Sequence, residues 1–173
     1  MLRVEHLTKT YPNGTQALQD VSFEVADGEF LAVIGLSGSG KSTLLRCINR
    51  LVEPTSGKIL WDGEDVTAAT GGDIRRLRRK IGMVFQQFNL VKRSSVYTNV
   101  LSGRLGYVNT AASLLHLFSK ADRERAMACL EQVGLSEKAQ MRADSLSGGQ
   151  QQRVGIARTL MQEEPIYATA LEA

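Results

Sequence analysis

Cysteine, histidine, proline and tryptophan are all scarce in this chain of 173 residues, with 2, 2, 3 and 1 copies. The two cysteines, Cys47 and Cys129, lie far apart without metal-ligand spacing. A disulfide framework or a zinc module is therefore excluded, and two small buried thiols in a reducing compartment are expected. No long hydrophobic run exists either. Stretches such as "FLAVIG" fall far short of the ~18 apolar residues that span a bilayer, and "MLRVEHLTKTY" at the start has no apolar signal region. The expectation is a cytosolic chain, held at a membrane only by a partner. Charge of one sign is also lacking: a net +3 is too weak to argue for nucleic acid. With 43% hydrophobic and 23% charged residues, the composition leaves an ordinary globular domain with a real core. No internal repeat, low-complexity segment or linker interrupts it.

Patterning then suggests an α/β fold. "LRVEHL" (2–7) and "LQDVSFEV" alternate apolar and polar residues as half-buried strands do. An Asp-Gly turn leads into "FLAVIG", a short continuous apolar run expected as a strand covered on both faces, as in a parallel sheet. From Lys41 the spacing turns helical, with Leu44, Leu45, Ile48 and Leu51 on one face. "KILWDGEDV" reads as a hairpin, "DIRRLRRK" as a short basic helix or turn, and "IGMVF" as a further buried strand. In "RERAMACLEQVGL", Ala126, Cys129, Leu130 and Val133 share a helical face, and Gly134 is suited to end it.

Two stretches carry chemistry. "GLSGSGKST" runs through Gly35, Leu36, Ser37, Gly38, Ser39, Gly40, Lys41, Ser42 and Thr43. It matches the phosphate-loop pattern and stands between an apolar run and a helix. The glycines let successive amides turn inward onto phosphate oxygens, and the helix adds its partial positive end. Lys41 supplies a point charge, and the Ser42 hydroxyl suits a Mg²⁺ ion that keeps most of its waters. A nucleoside triphosphate is the expected ligand. The second stretch is "LSGGQQQRVGIARTLM". Ser147 is a natural helix N-cap, Gly148 and Gly149 allow close backbone approach, and Gln150 opens an amphipathic helix. By itself this motif is more often a capped helix than an anion site.

Together the two stretches closely resemble the ATP-binding subunits of ABC transporters, whose signature is LSGGQ followed by QRV. The resemblance spans essentially residues 2–162. It implies a P-loop NTPase core with an antiparallel β subdomain and a helical subdomain at about 90–145, and leaves 163–173 as an atypical tail. It also implies that Tyr11 stacks on adenine and that Gln86 of "MVFQQF" reaches Mg²⁺ and the attacking water, with Gln87 a bystander. The implied cofactors are ATP and Mg²⁺. Two copies are expected to pair head to tail, so that Ser147–Gln150 of one closes over the phosphate loop of the other. The implied partners are transmembrane permease subunits and, indirectly, a solute-binding protein, with the chain peripheral on the cytoplasmic face of the plasma membrane. The segment from "NVLSGRLGYV" to "CLEQVGL" looks like the subunits that energise import of phosphonates or related phosphate esters.

Other features read plainly. "RRLRRK" is a solvated helix face, without the aromatic interleaving of a nucleic-acid reader; a DNA-repair ATPase is the disfavoured third reading. Trp61 is a packing residue, His116 a packed or interface histidine, and Asp122 and Glu124 belong to a charged helix face with Arg123 and Arg125.

The end of the chain departs from the resemblance. An apolar strand ending in Asp-Glu, followed later by a switch histidine, should come after the signature helix. "LMQEEPIYATALEA" instead runs from the helix straight to the acidic pair Glu163-Glu164, and Glu164-Pro165-Ile166 reads as the tail of that motif with the strand lost, ahead of a frayed polar end. Both histidines, His6 and His116, precede the signature. The expectation is a truncated or internally deleted importer ATPase, alternatively an ATP-binding form that does not hydrolyse, and one that folds marginally because a central strand is lost.

Overall fold

The structure is a computed structural model that describes residues 1–84, 89–109 and 117–162, together with the backbone of 166–169. The chain divides between Leu77 and Arg78 into two compact units.

In the first unit, strands β1 (Leu2–Thr10), β2 (Gln16–Val25), β3 (Ser56–Trp61) and β4 (Glu64–Asp65) form one antiparallel sheet in the order β2-β1-β3-β4. Leu2, Val4 and Leu7 of β1 are buried with Leu18, Ile59 and Trp61. The step from Val4 to Leu7 breaks a two-residue alternation. The register shifts there, and His6 takes a left-handed φ of 50°. That irregularity returns Leu7 to the buried face after an extra residue. The hairpin between β3 and β4 turns at Asp62 and Gly63, both with positive φ, as the Asp-Gly pair predicts. Helix α1 (Lys41–Ile48) buries Leu44, Cys47 and Ile48; Leu51, expected on the same face, lies beyond the helix and is exposed. The basic helix α2 (Gly72–Lys80) closes this part of the sequence.

The largest departure is "FLAVIG". Residues 30–36 belong to no strand, and Phe30, Ile34 and Leu36 are 91%, 92% and 86% exposed. Local β propensity does not make such a strand. It forms only when neighbours complete its ladder and cover both faces, and no strand pairing among the described residues includes this run.

In the second unit, β5 (Ile81–Val84) is followed by α3 (Val96–Leu101), α4 (Lys120–Gln132) and α5 (Gly148–Leu160). The three helices enclose an apolar core that includes Val96, Val100, Leu130, Val154, Ala157 and Met161. Ala126, Cys129 and Leu130 of α4 face inward as their spacing requires. Gly134 ends the helix with φ 69°, where the Leu135 amide reaches back to the Leu130 carbonyl at 2.9 Å.

At its start α4 carries a reciprocal cap. Ser119 accepts from the Asp122 amide, while Asp122 accepts from the Ser119 backbone amide and, at 2.7 Å, from its hydroxyl. Arg104 Nε donates to the same carboxylate at 2.7 Å and stacks on Tyr107, 4.0 Å from the ring centre. Burial works to raise the Asp122 pKa, but the Ser119 hydrogen bonds and the Arg104 charge outweigh it and hold the value below the ordinary aspartate level. Asp122 is thus a built-in anchor, not the solvated face residue expected from sequence.

A carboxylate with a depressed native pKa adds stability that is complete above the unfolded value near ~3.9 and lost as pH falls through the native value. The thermal midpoint of the second unit should therefore fall steeply below about pH 4, and Asp122→Asn should flatten that fall while removing about 1 kcal/mol of helix cap at neutral pH. Circular dichroism melts from about pH 2.5 to 7 test this; an unchanged acid slope in the variant would refute it.

The tail requires a correction. Residues Ile166–Thr169 form strand β6, parallel to β5, in a register running from Ile81↔Ile166 to Val84↔Thr169. A strand therefore does follow α5, and the frayed end expected from sequence does not hold over these four residues. Glu164-Pro165 precedes β6 and does not trail it; a proline at the entry of a strand costs no ladder bond. Glu163, Glu164 and Pro165 themselves lie outside the described residues.

Candidate functional site

The phosphate loop is built in the first unit. Its turn is closed by the Ser39 amide donating to the Leu36 carbonyl at 3.1 Å. Gly40 is the residue before α1, at φ 90°, with no side chain capping the helix start. The first-turn amides of α1 are thus not claimed by a cap side chain. Lys41 Nζ lies over the loop, donating to the carbonyls of Gly35 at 2.6 Å and Leu36 at 2.9 Å. Its ammonium is held beside the turn that would cradle phosphate.

Ser42 and Thr43 follow Lys41 in the first turn of α1, both half-buried. The Thr43 hydroxyl lies 3.3 Å from the Tyr11 hydroxyl. Lys9 Nζ stands 5.2 Å from the Tyr11 ring centre, and the Tyr11 backbone closes a turn with Thr15 and Gly14. The structure thus brings Tyr11 to the phosphate-loop helix, a proximity that the 32-residue separation hides in the sequence. A hard hydroxyl oxygen beside a lysine and a helix N-terminus is a donor set suited to Mg²⁺ in company with phosphate, not to a metal held by protein alone. Among the described residues, no group of three or more His, Cys, Asp and Glu could hold a metal ion.

The second motif opens α5 in the second unit. Ser147 and Gln150 form a reciprocal cap: Ser147 accepts from the Gln150 amide at 3.4 Å, and Gln150 Oε1 accepts from the Ser147 amide at 3.2 Å. Gly148 and Gly149 are exposed, with open space where a Cβ would stand. Gln151 Nε2 donates to the Leu146 carbonyl at 3.0 Å and fixes the entry to the helix. Nearby, Arg142 pairs with Asp144 and draws that carboxyl below its usual value. The result is a capped, exposed helix start whose two glycines present bare backbone.

Gln86 and Gln87 lie outside the described residues, as does His116. His6 stands in the sheet of the first unit, its Nδ1 2.6 Å from Asp20 Oδ1. Both cysteines are buried and free, and burial pushes each thiol pKa up, as inert core thiols require. Among the described residues, no helix is long and apolar enough to cross a membrane.

Sequence reading missed β6; the local signal was Pro165, a residue tolerated at the entry of a strand.

The ABC transporter family profile matches residues 18–169, a span that includes β6. The phosphonates import ATP-binding protein PhnC 3 of Halalkalibacterium halodurans is 54% identical over 166 residues, covering 96% of this chain and 64% of its own length. PhnC of Bdellovibrio bacteriovorus is 58% identical over 173 residues, covering 99% of this chain and 66% of its own. The chain therefore spans about two thirds of the length of these curated relatives, 64% for the first. Among solved structures, the dimeric post-hydrolysis state of the ATP-binding cassette MJ0796, bound to ADP and Pi, superposes with a TM-score of 0.85 at 36% identity, over 98% of this chain and 73% of that one. The cbiO1 subunit of the Clostridium perfringens cbiONQ transporter complex gives 0.77 at 32% identity, over 97% and 64%.

Proposed function

Because the chain belongs to the ABC transporter family, we propose that it is the ATP-binding, energy-coupling part of a bacterial importer for phosphonates or related phosphate esters. The observation that carries this reading is the Gly35–Thr43 loop with Lys41 folded over its carbonyls and Tyr11 beside Thr43. Tyr11 would stack on the adenine base, the loop amides and the Lys41 ammonium would hold the β- and γ-phosphates, and the Ser42 hydroxyl would hold the metal. Mg²⁺ supplies neutralisation of charge on the phosphates. Ser147–Gln150 of a second copy closes on the γ-phosphate, so that nucleotide joins the two copies and its cleavage releases them. That cycle is passed to transmembrane permease subunits at the cytoplasmic face of the membrane, and a solute-binding protein delivers the cargo. Gln86 reports the state of the γ-phosphate to the permease.

Glu172, which follows β6, is the candidate carboxylate to polarise the attacking water. Leu171 stands where the resemblance calls for the aspartate that holds Mg²⁺. That single hydrophobic replacement favours a second reading, an ATP-binding form that does not hydrolyse. Equilibrium binding of a fluorescent ATP analogue, paired with phosphate release, separates the readings. Lys41→Ala should weaken Mg-ATP binding about 100-fold, the worth of two charge-assisted hydrogen bonds. Binding unaffected by the substitution would refute the nucleotide site. Release above background that disappears with Lys41→Ala supports the hydrolase, and tight binding without release the alternative.

A further inference from the structure

Helix α5 carries the signature residues at its start and a half-buried arginine, Arg158, in its last turn. Arg158 Nη1 donates to the backbone carbonyl of Asn89 at 2.8 Å, across 69 residues of sequence. Asn89 has φ 43°, a left-handed conformation uncommon for a residue with a side chain. Two residues on, Asn99 of α3, only 2% exposed, clasps Val91: its Oδ1 accepts from the Val91 amide at 2.8 Å and its Nδ2 donates to the Val91 carbonyl at 3.1 Å. Asn99 Nδ2 also donates to the Ser95 carbonyl at 2.9 Å, so the clasp is anchored to the start of its own helix. The chain leaving the segment after β5 is therefore held by α5 at Asn89 and by α3 at Val91. Burial works against the Arg158 charge and lowers its pKa. A position used for packing alone would be served as well by an apolar side chain.

We propose that Arg158 is a positioning residue that ties the signature helix to the chain following β5 through the Asn89 carbonyl. Any displacement of Ser147–Gln150 along α5 is delivered at Asn89, three residues after Gln86 in the sequence. This final step, from Asn89 to Gln86 and the metal it is assigned, rests on the function proposed above; the anchor itself does not.

The test uses the full chain. Hydrogen exchange without nucleotide should show Arg158→Gln raising exchange across 89–91 about tenfold, the expected loss of a bond from a charged donor. Strand β1 should stay at wild-type rates, and Arg158→Lys should recover part of the protection. Asn89→Val, which keeps Arg158 but disfavours the left-handed conformation, should reproduce the rise and guards against an Arg158→Gln chain that fails to fold. With a fluorescent ATP analogue, Arg158→Gln should raise the Mg²⁺ concentration for half-maximal binding about tenfold and leave metal-free binding unchanged. A general packing defect would weaken both. Unchanged exchange at 89–91, or a rise spread evenly over α3, α4 and α5, overturns the anchor. Wild-type chain that binds no nucleotide, with the local exchange effect intact, overturns the proposed function and leaves the anchor standing.

Discussion

Gly40→Ala should lower ATP affinity roughly 100-fold, by taking the loop amides and Lys41 out of register together. Two independent costs meet at this residue. Its φ of 90° is a conformation that L side chains rarely adopt, and a Cβ would stand 2.2 Å from the Ala17 carbonyl oxygen of β2. The first costs about 1–2 kcal/mol. The second has no side-chain escape, because the obstructing atom is strand backbone. The start of α1 must move, and with it the amides proposed to hold phosphate. Gly38 provides the control: its φ is 82°, but open space surrounds the position of a Cβ. Gly38→Ala should therefore pay the conformational cost alone and lose far less affinity. Equal losses in titrations with a fluorescent ATP analogue would show that the contact with β2 does not govern the loop.

Leu130→Ala should destabilise the second unit by about 2–5 kcal/mol, a large share of what a domain of this size has to spare. Leu130 is fully buried at the centre of the cluster joining α3, α4 and α5. Its neighbours there include Val96, Val100 and Val154, whose β-branched side chains repack poorly into the space left behind. The deleted atoms lose burial, and the cavity adds its own term. Hydrogen exchange should show the loss in α3, α4 and α5 with β1–β3 protected as before, since no residue of the first unit lines this cluster. An effect below about 1 kcal/mol in urea titration would mean that the three helices collapse onto the gap.

The local structure of both Gly-rich motifs was readable because its physics is local. A Gly-rich turn, a lysine and a helix start occupy nine consecutive residues, Gly35–Thr43, and the Ser147–Gln150 cap closes within a single turn. The α4 helix was legible for the same reason: Ala126, Cys129 and Leu130 repeat at its period and Gly134 ends it. What escaped depends on partners distant in sequence. β6 is only four residues long, too short to stand out in the sequence, and its ladder is completed by β5 alongside. "FLAVIG" shows the converse, an apolar run that reads as strand and joins no ladder. Asp122 looked like one charge among several on a helix face until Arg104 and Ser119 met around it. The Arg158–Asn89 bond leaves no trace in any window short enough to scan for periodicity.

The two buried thiols have a practical consequence. Cys47 lies in the core of the first unit and Cys129 in that of the second, and neither is bonded to another cysteine. Each unit thus contains its own chemical stopwatch. Alkylation of the folded chain has to wait for a cysteine to become accessible, and peptide mapping assigns each modification to Cys47 or Cys129. The native sequence, without an engineered label, allows the opening of the phosphate-loop unit to be timed separately from that of the signature-helix unit.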